Sequence, residues 1–336
     1  MRTTLKLLLL LLAAPLAQAD YRDHPKTAEL RRLLVSDYRF SAAELVGVDA
    51  ALATAQQVPQ LIQSERQNKE TTTPLWDDYL ALHVFPRQID DGLKLLRDYA
   101  IYFERAEAEY GVPPVVVAAI MGVETKYGSY TGKHRVLDAL VTQGYEHPSR
   151  QRFFFSELAA YFAFCRDFGY DPVAVRGSYA GAVGYAQFMP SNYLRLARDY
   201  DDNGRVDLWT MPDAIGSIAH YFSAYTPGDR PTAHWRRGEP LLAPVSSVQL
   251  GQGAPERNPR RPNATIAQWQ QHGVISAAEL SADLPAGLIE LPRPQGPEYW
   301  LALPNFYSVM SYNPRVFYAM AVTELAAGLQ QAQAQQ

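Results

Sequence analysis

The stretch GVPPVVVAAIMGVETKYGSY, residues 111 to 130, constrains the fold more than any other part of the chain. Pro113 and Pro114 suit the first turn of a helix, where a missing N–H costs nothing, and Val115 to Val123 continue it almost without a polar face. A helix that is apolar all round must be wrapped by other elements. Gly128 is its expected stop. Glu124 then falls in the last turn, where the helix dipole disfavours negative charge and an apolar setting adds a desolvation penalty. Both effects raise its pKa, and a carboxyl kept protonated near neutrality can protonate a leaving-group oxygen. Pairing with Lys126 or Arg135, or escape to solvent where the helix surfaces, would give the same residue a purely structural role.

The wrapping has to come from packing, because the single cysteine, Cys165, has no partner for an internal disulfide. Its aromatic neighbours in YFAFCRDFG mark it as a buried structural thiol. The chain opens MRTTLKLLLLLLAAPLAQAD, where Arg2 and Lys6 precede a leucine run and Ala17-Gln18-Ala19 supplies a cleavage site. This reads as a secretory signal peptide over residues 1–19, with no cysteine after it to carry a lipid anchor. Its removal takes away two positive charges and no negative ones, moving the net charge from −4 to −6. Nucleic acid is a poor partner for such a chain.

Residues 20–100 read as a helical subdomain, with SAAELVGVDAALATAQQ and IDDGLKLLRDYAIYFERAEAEYG as the clearest amphipathic segments. Residues 101–225 stay helical but gain aromatics and three unusual loops, at 124–135, 176–190 and 199–213. Residues 226–297 turn Pro- and Gly-rich around β-like runs such as LLAPVSSVQL and AGLIEL, which predicts a small β subdomain. Residues 298–336 return to aromatic sequence and close in a helix, with Asn313-Pro314 as its expected cap and first turn. The fold class is therefore mainly α (α+β).

No second catalytic carboxylate stands out. Asp138 and Glu157 both sit in helical patterns where an exposed or salt-bridged face is expected. In the loop DYDDNGRVDLWTMPD, Asp199, Asp201, Asn203 and Gly204 match the D-x-[DN]-x-[DN]-G pattern of a calcium loop, and Arg205 can offer a backbone carbonyl. Position twelve is Thr210, not glutamate. Thr210 and Asp213 could instead form a capping box on the following helix, leaving the acids solvating a turn.

Four blocks, GVPPVVVAAIMGVETKYGSYTGKHRVLDAL, GSYAGAVGYAQFMPSNY, DLWTMPDAIGSIAHYF and LPNFYSVMSYNPRVFYAMAV, resemble in order those of the membrane-bound lytic murein transglycosylase B family, glycoside hydrolase family 103. The resemblance implies a lysozyme-like core at 101–225 and a lytic transglycosylase acting on the MurNAc-β-1,4-GlcNAc bond of peptidoglycan. Glu124 would be its one acid and base and 1,6-anhydroMurNAc its product. A hydrolytic muramidase and a non-catalytic murein-binding protein are the alternatives. The resemblance also implies substrate contacts from Arg150, Ser178, Tyr179, Gln187, Tyr221, Tyr312, Asn313 and Tyr318. Ser149 stands where the family often has a second basic residue beside Arg150. A structural Ca2+ would be closed by Asp213, in a lengthened loop with Asp199, Asp201, Asn203 and Arg205. A periplasmic monomer is expected, with glycan strands as substrate and proteins of cell-wall synthesis or division as further partners.

Overall fold

The computed structural model describes residues 21–62, 75–83, 86–226 and 234–335; the leader expected at 1–19 lies outside them. The helix Pro114–Thr125 lies at the centre, with Val116 to Met121 almost fully buried. It packs most extensively on the C-terminal helix Val316–Gln333, and both pack on Pro86–Asp98. The approach is close enough to require glycine. A Cβ built on Gly122 would sit 2.7 Å from Leu325 Cδ2 and 2.8 Å from Tyr127 Oη.

Other helices surround this trio. Ala42–Thr54 opens with a capping box, in which Ser41 Oγ accepts from the Glu44 N–H at 3.3 Å and the Glu44 carboxylate accepts from the Ser41 N–H at 2.7 Å. The run IDDGLKLLRDYAIYFERAEAEYG forms two helices, Pro86–Asp98 and Ala100–Tyr110, divided at Tyr99. Ala100–Tyr110 meets the central helix at a bend of 113°. No single helix among the described residues is long and apolar enough to cross a membrane. Val136–Glu146 and Gln151–Phe168 form the most closely packed helix pair, and Cys165 on the latter is buried, its thiol pushed up to about 12 by desolvation.

Strands β1 (His134–Arg135) and β2 (Arg176–Gly177) pair in an antiparallel ribbon beside the end of the central helix. The other five, β3 (Leu242–Val248), β4 (Ala264–Thr265), β5 (Val274–Ser276), β6 (Pro285–Leu291) and β7 (Glu298–Ala302), form a sheet in the order β4-β6-β7-β3-β5, with every neighbouring pair antiparallel. The sheet is covered on both faces, which explains the apolar run Ala286–Ile289 of β6. Ala286 and Leu288 join a small cluster around Trp269, while Ile289 and Leu291 enter the main core. Register enforces the division, with Leu288 opposite Leu301 and Ile289 opposite Trp300. β7 carries the sheet five residues beyond 297.

The final helix begins at Val316, later than Asn313-Pro314 suggested, because Asn313 is extended and caps the end of Pro304–Tyr312. Glu157 also departs from the expected exposed face. It is buried, accepting from the Ser191 N–H at 3.0 Å and the Ser191 hydroxyl at 2.6 Å. Asp138 forms the expected ion pair, 2.6 Å from Arg135.

Because Gly122 marks the closest approach of the central helix to its neighbours, Gly122→Val is expected to destabilise the protein by about 1–3 kcal/mol through overpacking. Urea unfolding checks this; an unchanged midpoint would contradict the packing described.

Candidate active site

The central helix stops at Thr125 because Lys126 (φ 49°) and Tyr127 (φ 57°) both turn left-handed, ahead of Gly128 (φ 84°). The glycine expected to end the helix is thus the third residue of the turn. Two non-glycine residues in this region cost about 1 kcal/mol each, so neighbouring contacts must hold them. Tyr127 Oη donates to the Gln88 carbonyl at 2.8 Å. Thr125 Oγ1 accepts from the Gly128 N–H at 3.0 Å and lies 3.2 Å from the Tyr185 carbonyl, tying the helix end to the 176–190 loop.

This turn delivers Glu124 to the floor of a cleft of about 390 Å³ whose walls include Tyr130, Gly132, His134, Ser178, Tyr179 and Gln187. Tyr312 and Asn313 close the far side. Gly132 (φ 102°) permits the wall to form, since a Cβ there would lie 2.1 Å from the Gly177 backbone. Glu124 keeps part of its surface open to the cleft, while protein packs around its carboxyl. Desolvation pushes it up to about 7 against the opposing hydrogen bond from Tyr318, whose hydroxyl donates to Glu124 Oε1 at 2.7 Å. Burial and this one bond are the influences on its pKa among the described residues, and Arg135 is taken by Asp138. Among the described residues Glu124 is the only carboxyl lining the cleft.

The other predicted residues divide by position. Ser178, Tyr179, Gln187, Tyr312 and Asn313 come together around Glu124, and Tyr318 supports it from beneath. Ser178 Oγ accepts from the Ala180 and Ala182 N–H groups at 3.3 and 3.0 Å. Gln187 donates its amide to the Thr131 and Gly184 carbonyls at 3.1 and 2.9 Å, leaving the side-chain oxygen for a ligand. Tyr312 donates its hydroxyl to the Ala186 carbonyl, and Tyr179 is 58% exposed, its ring available for stacking. Two residues are not brought to the cleft. Tyr221 is buried, with its hydroxyl given to the Ser311 carbonyl at 2.7 Å and its ring 4.7 Å from Tyr312, so it backs the wall instead of meeting a sugar. Arg150 lies over Phe153 and Phe154 at 4.7 and 4.9 Å, away from the lining. Tyr130 and His134 were not singled out in the sequence; Tyr130, only six residues from Glu124 and 58% exposed, was the readable one.

Asp199, Asp201 and Asp213 bring one carboxylate oxygen each within 4.8 Å of one another. Backbone N–H groups already serve them: Gly204 donates to Asp199 at 2.7 Å, and Tyr200 and Asp207 donate to the buried Asp213, each at 2.7 Å. Each carboxylate oxygen retains a second lone pair. Desolvation raises the Asp213 pKa, and the charges of Asp201 and Asp199 add to it, which a bound cation would reverse. The all-oxygen donor set, with Asn203 beside it, fits a hard divalent cation. The competing capping box is not formed, because Thr210 makes no side-chain cap and donates its hydroxyl to the Asp207 carbonyl at 2.9 Å.

A lone carboxyl of raised pKa between aromatic and amide walls can give a proton to a group held in the cleft. A family profile described as a transglycosylase SLT domain matches residues 24–327, and the chain belongs to this family. Membrane-bound lytic murein transglycosylase B of Escherichia coli (strain K12) is 32% identical over 311 residues, covering 91% of this chain and 83% of that protein. The E. coli lytic transglycosylase Slt35, solved in complex with calcium, has a TM-score of 0.81 at 31% identity, over 94% of this chain and 96% of that one. SltB3 from Pseudomonas aeruginosa, solved in complex with NAG-anhNAM-pentapeptide, has a TM-score of 0.72 at 28% identity, over 90% and 78% of the two chains. The chain is a lytic transglycosylase with a lysozyme-like fold.

The raised Glu124 pKa makes a stability prediction. Because the folded state holds this proton more tightly than the unfolded chain, the stability it contributes is full below pH 4.5, is lost as pH rises towards 7, and is absent above. Glu124→Gln, which cannot ionise, should therefore match the parent near pH 4 and exceed it by about 2–3 kcal/mol at pH 8. Melting curves across pH check this, and a pH-independent difference would contradict the raised pKa.

Proposed function

We propose that the chain cleaves the β-1,4 bond between MurNAc and GlcNAc of peptidoglycan without consuming water, and that Glu124 is first the acid and then the base. The supporting observation is the lone carboxyl in the cleft. Ordinary retaining and inverting glycosidases both need a carboxyl pair, so the second role must fall to the substrate. In the first step the Glu124 proton passes to the glycosidic oxygen as the C1–O bond breaks. GlcNAc leaves as the alcohol, and the MurNAc N-acetyl oxygen takes up the positive charge at C1. In the second, the Glu124 carboxylate removes the proton of the muramic C6 hydroxyl while O6 bonds to C1 and the N-acetyl oxygen departs. The product is a 1,6-anhydro ring, and the proton is back on Glu124. A carboxyl with a pKa of about 7 is suited to both transfers. Tyr318 steadies the carboxylate between them, Ser178, Gln187 and Asn313 offer polar contacts to sugar, and Tyr179 and Tyr312 offer ring faces.

Mass spectrometry of purified murein after digestion tests this reading. Disaccharide peptides one water lighter than muramidase products, absent with Glu124→Gln, are expected. Full-mass reducing products would make the enzyme a hydrolase, and no products from either protein would leave only binding.

The same reading includes a structural calcium ion held by Asp199, Asp201, Asn203, the Arg205 carbonyl and Asp213, and export to the periplasm by residues 1–19. The ion is supported by the carboxylate cluster and by the relative solved with calcium. The ion would neutralise the converging carboxylates of a loop joined to Ala100–Tyr110 through Arg105, which reaches Asp202 at 2.9 Å and the Tyr200 carbonyl at 3.2 Å. Chelator should lower the melting temperature by several degrees in the parent and leave Asp201→Ala unaffected; a chelator-insensitive parent would exclude the ion.

A further inference from the structure

We propose that the basic groove beside the cleft, built on Lys133 and Arg176, binds the carboxylates of the peptide carried by the glycan strand, an inference that rests on the substrate proposed above. The groove encloses about 330 Å³, and His134 lines both it and the catalytic cleft, so the two are adjacent. Register brings this about. In the ribbon His134 lies opposite Gly177 and Arg135 opposite Arg176, so one side of the ribbon carries basic residues while its end passes into Ser178 on the cleft wall.

The charges in the groove are not balanced. Lys133, Arg135 and Arg176 face a single carboxylate, Asp138. Asp138 is already committed, pairing with Arg135 at 2.6 Å and accepting from the Gln56 N–H at 2.8 Å. Arg135 also donates to the Thr54 carbonyl, so its guanidinium is fixed in the wall. Among the described residues lining the groove this leaves two exposed cations, Lys133 and Arg176. Arg176 donates to the Lys133 carbonyl at 2.9 Å, which holds its guanidinium beside the lysine without neutralising either charge. Two neighbouring uncompensated cations on a chain of net charge −4 repel each other unless an anion joins them.

The sugar rings bound above Glu124 offer no such anion, but a peptide does, through its C-terminal carboxylate and any acidic side chain. A peptide hanging from a sugar in the cleft leaves at the rim, where His134 passes into the groove. The arginine fork suits a carboxylate in two-point contact, and the lysine supplies a mobile point charge. Arg150, a basic residue expected among the substrate contacts, is stacked on Phe153 and Phe154 outside the lining. The groove provides the positive charge in its place.

The test compares turnover of peptide-bearing murein strands with that of the same strands after an amidase has removed the peptides, using the full chain. In Lys133→Gln/Arg176→Gln the ratio of kcat/KM on the two substrates should fall about tenfold, through KM and not kcat, while Lys133→Arg should retain it. The preference should also weaken between roughly 50 and 500 mM salt as the Debye length shortens. An unchanged ratio, or a parallel loss on both substrates, overturns the groove's role. If the unsubstituted protein turns over neither substrate, the catalytic reading fails separately. Calorimetric titration with a free pentapeptide then decides the groove by itself, with binding weakened in the double variant supporting it and no binding to the parent refuting it.

Discussion

The structure depends on a carboxyl placed where burial is worst for it. Glu124 sits at the end of a helix whose preceding residues from Val116 to Met121 are nearly inaccessible, and among the described residues its hydrogen-bond partner is one tyrosine hydroxyl. Desolvation outweighs that bond and carries the pKa to about 7. A lysine within salt-bridge distance would have lowered the pKa and removed the proton that the carboxyl holds near neutrality. The apolar helix provides both the stability and the environment: its packing holds the fold together, and its final turn carries the group that packing alone would exclude.

Holding that group in position falls to parts distant in sequence. The left-handed pair Lys126–Tyr127 turns the chain immediately after Glu124, and Tyr127 is anchored to Gln88 on a neighbouring helix. Tyr318 arrives from the C-terminal helix, 194 residues away. Behind Tyr312, the rings of Tyr221, Phe222 and Phe188 pack within 6.0 Å, so the far wall is backed by aromatic contacts and its hydroxyl is fixed on Ala186. Aromatic pairs of this kind contribute about 0.5–1.5 kcal/mol each beyond area burial. They also restrict rotamers, so the wall keeps one shape.

The sequence made Glu124 legible because a charge closing a long apolar run violates the usual pattern, and such violations concentrate at functional sites. The calcium-like loop was legible because its spacing repeats a known ligand geometry. Tyr221 shows where such reading stops. The family resemblance implied a cleft contact for it, but only the fold shows the hydroxyl donated to Ser311 and the ring facing Tyr312. Glu157 was obscured for the related reason that its partner, Ser191, is 34 residues distant. The break at Tyr99 was hidden because the apolar periodicity runs through it. β7 was hidden by composition, since its aromatic residues resemble those of the helices that follow.

The two sides of the cleft then differ in what they can recognise. Toward Tyr312 and Asn313 the groups are neutral, suited to hydroxyls and amides whose contacts change little with salt. Toward Lys133 and Arg176 they are cationic and solvent-facing, so they attract charge over several ångströms but discriminate weakly at short range. A polymer with neutral sugars and a charged peptide presents the matching asymmetry. Rotating the strand half a turn about its axis would set the peptide against the neutral wall and leave the cations unpaired. For the substrate proposed above, the charge pattern would favour one orientation of the strand over Glu124, and orientation would decide which glycosidic oxygen lies nearest the carboxyl.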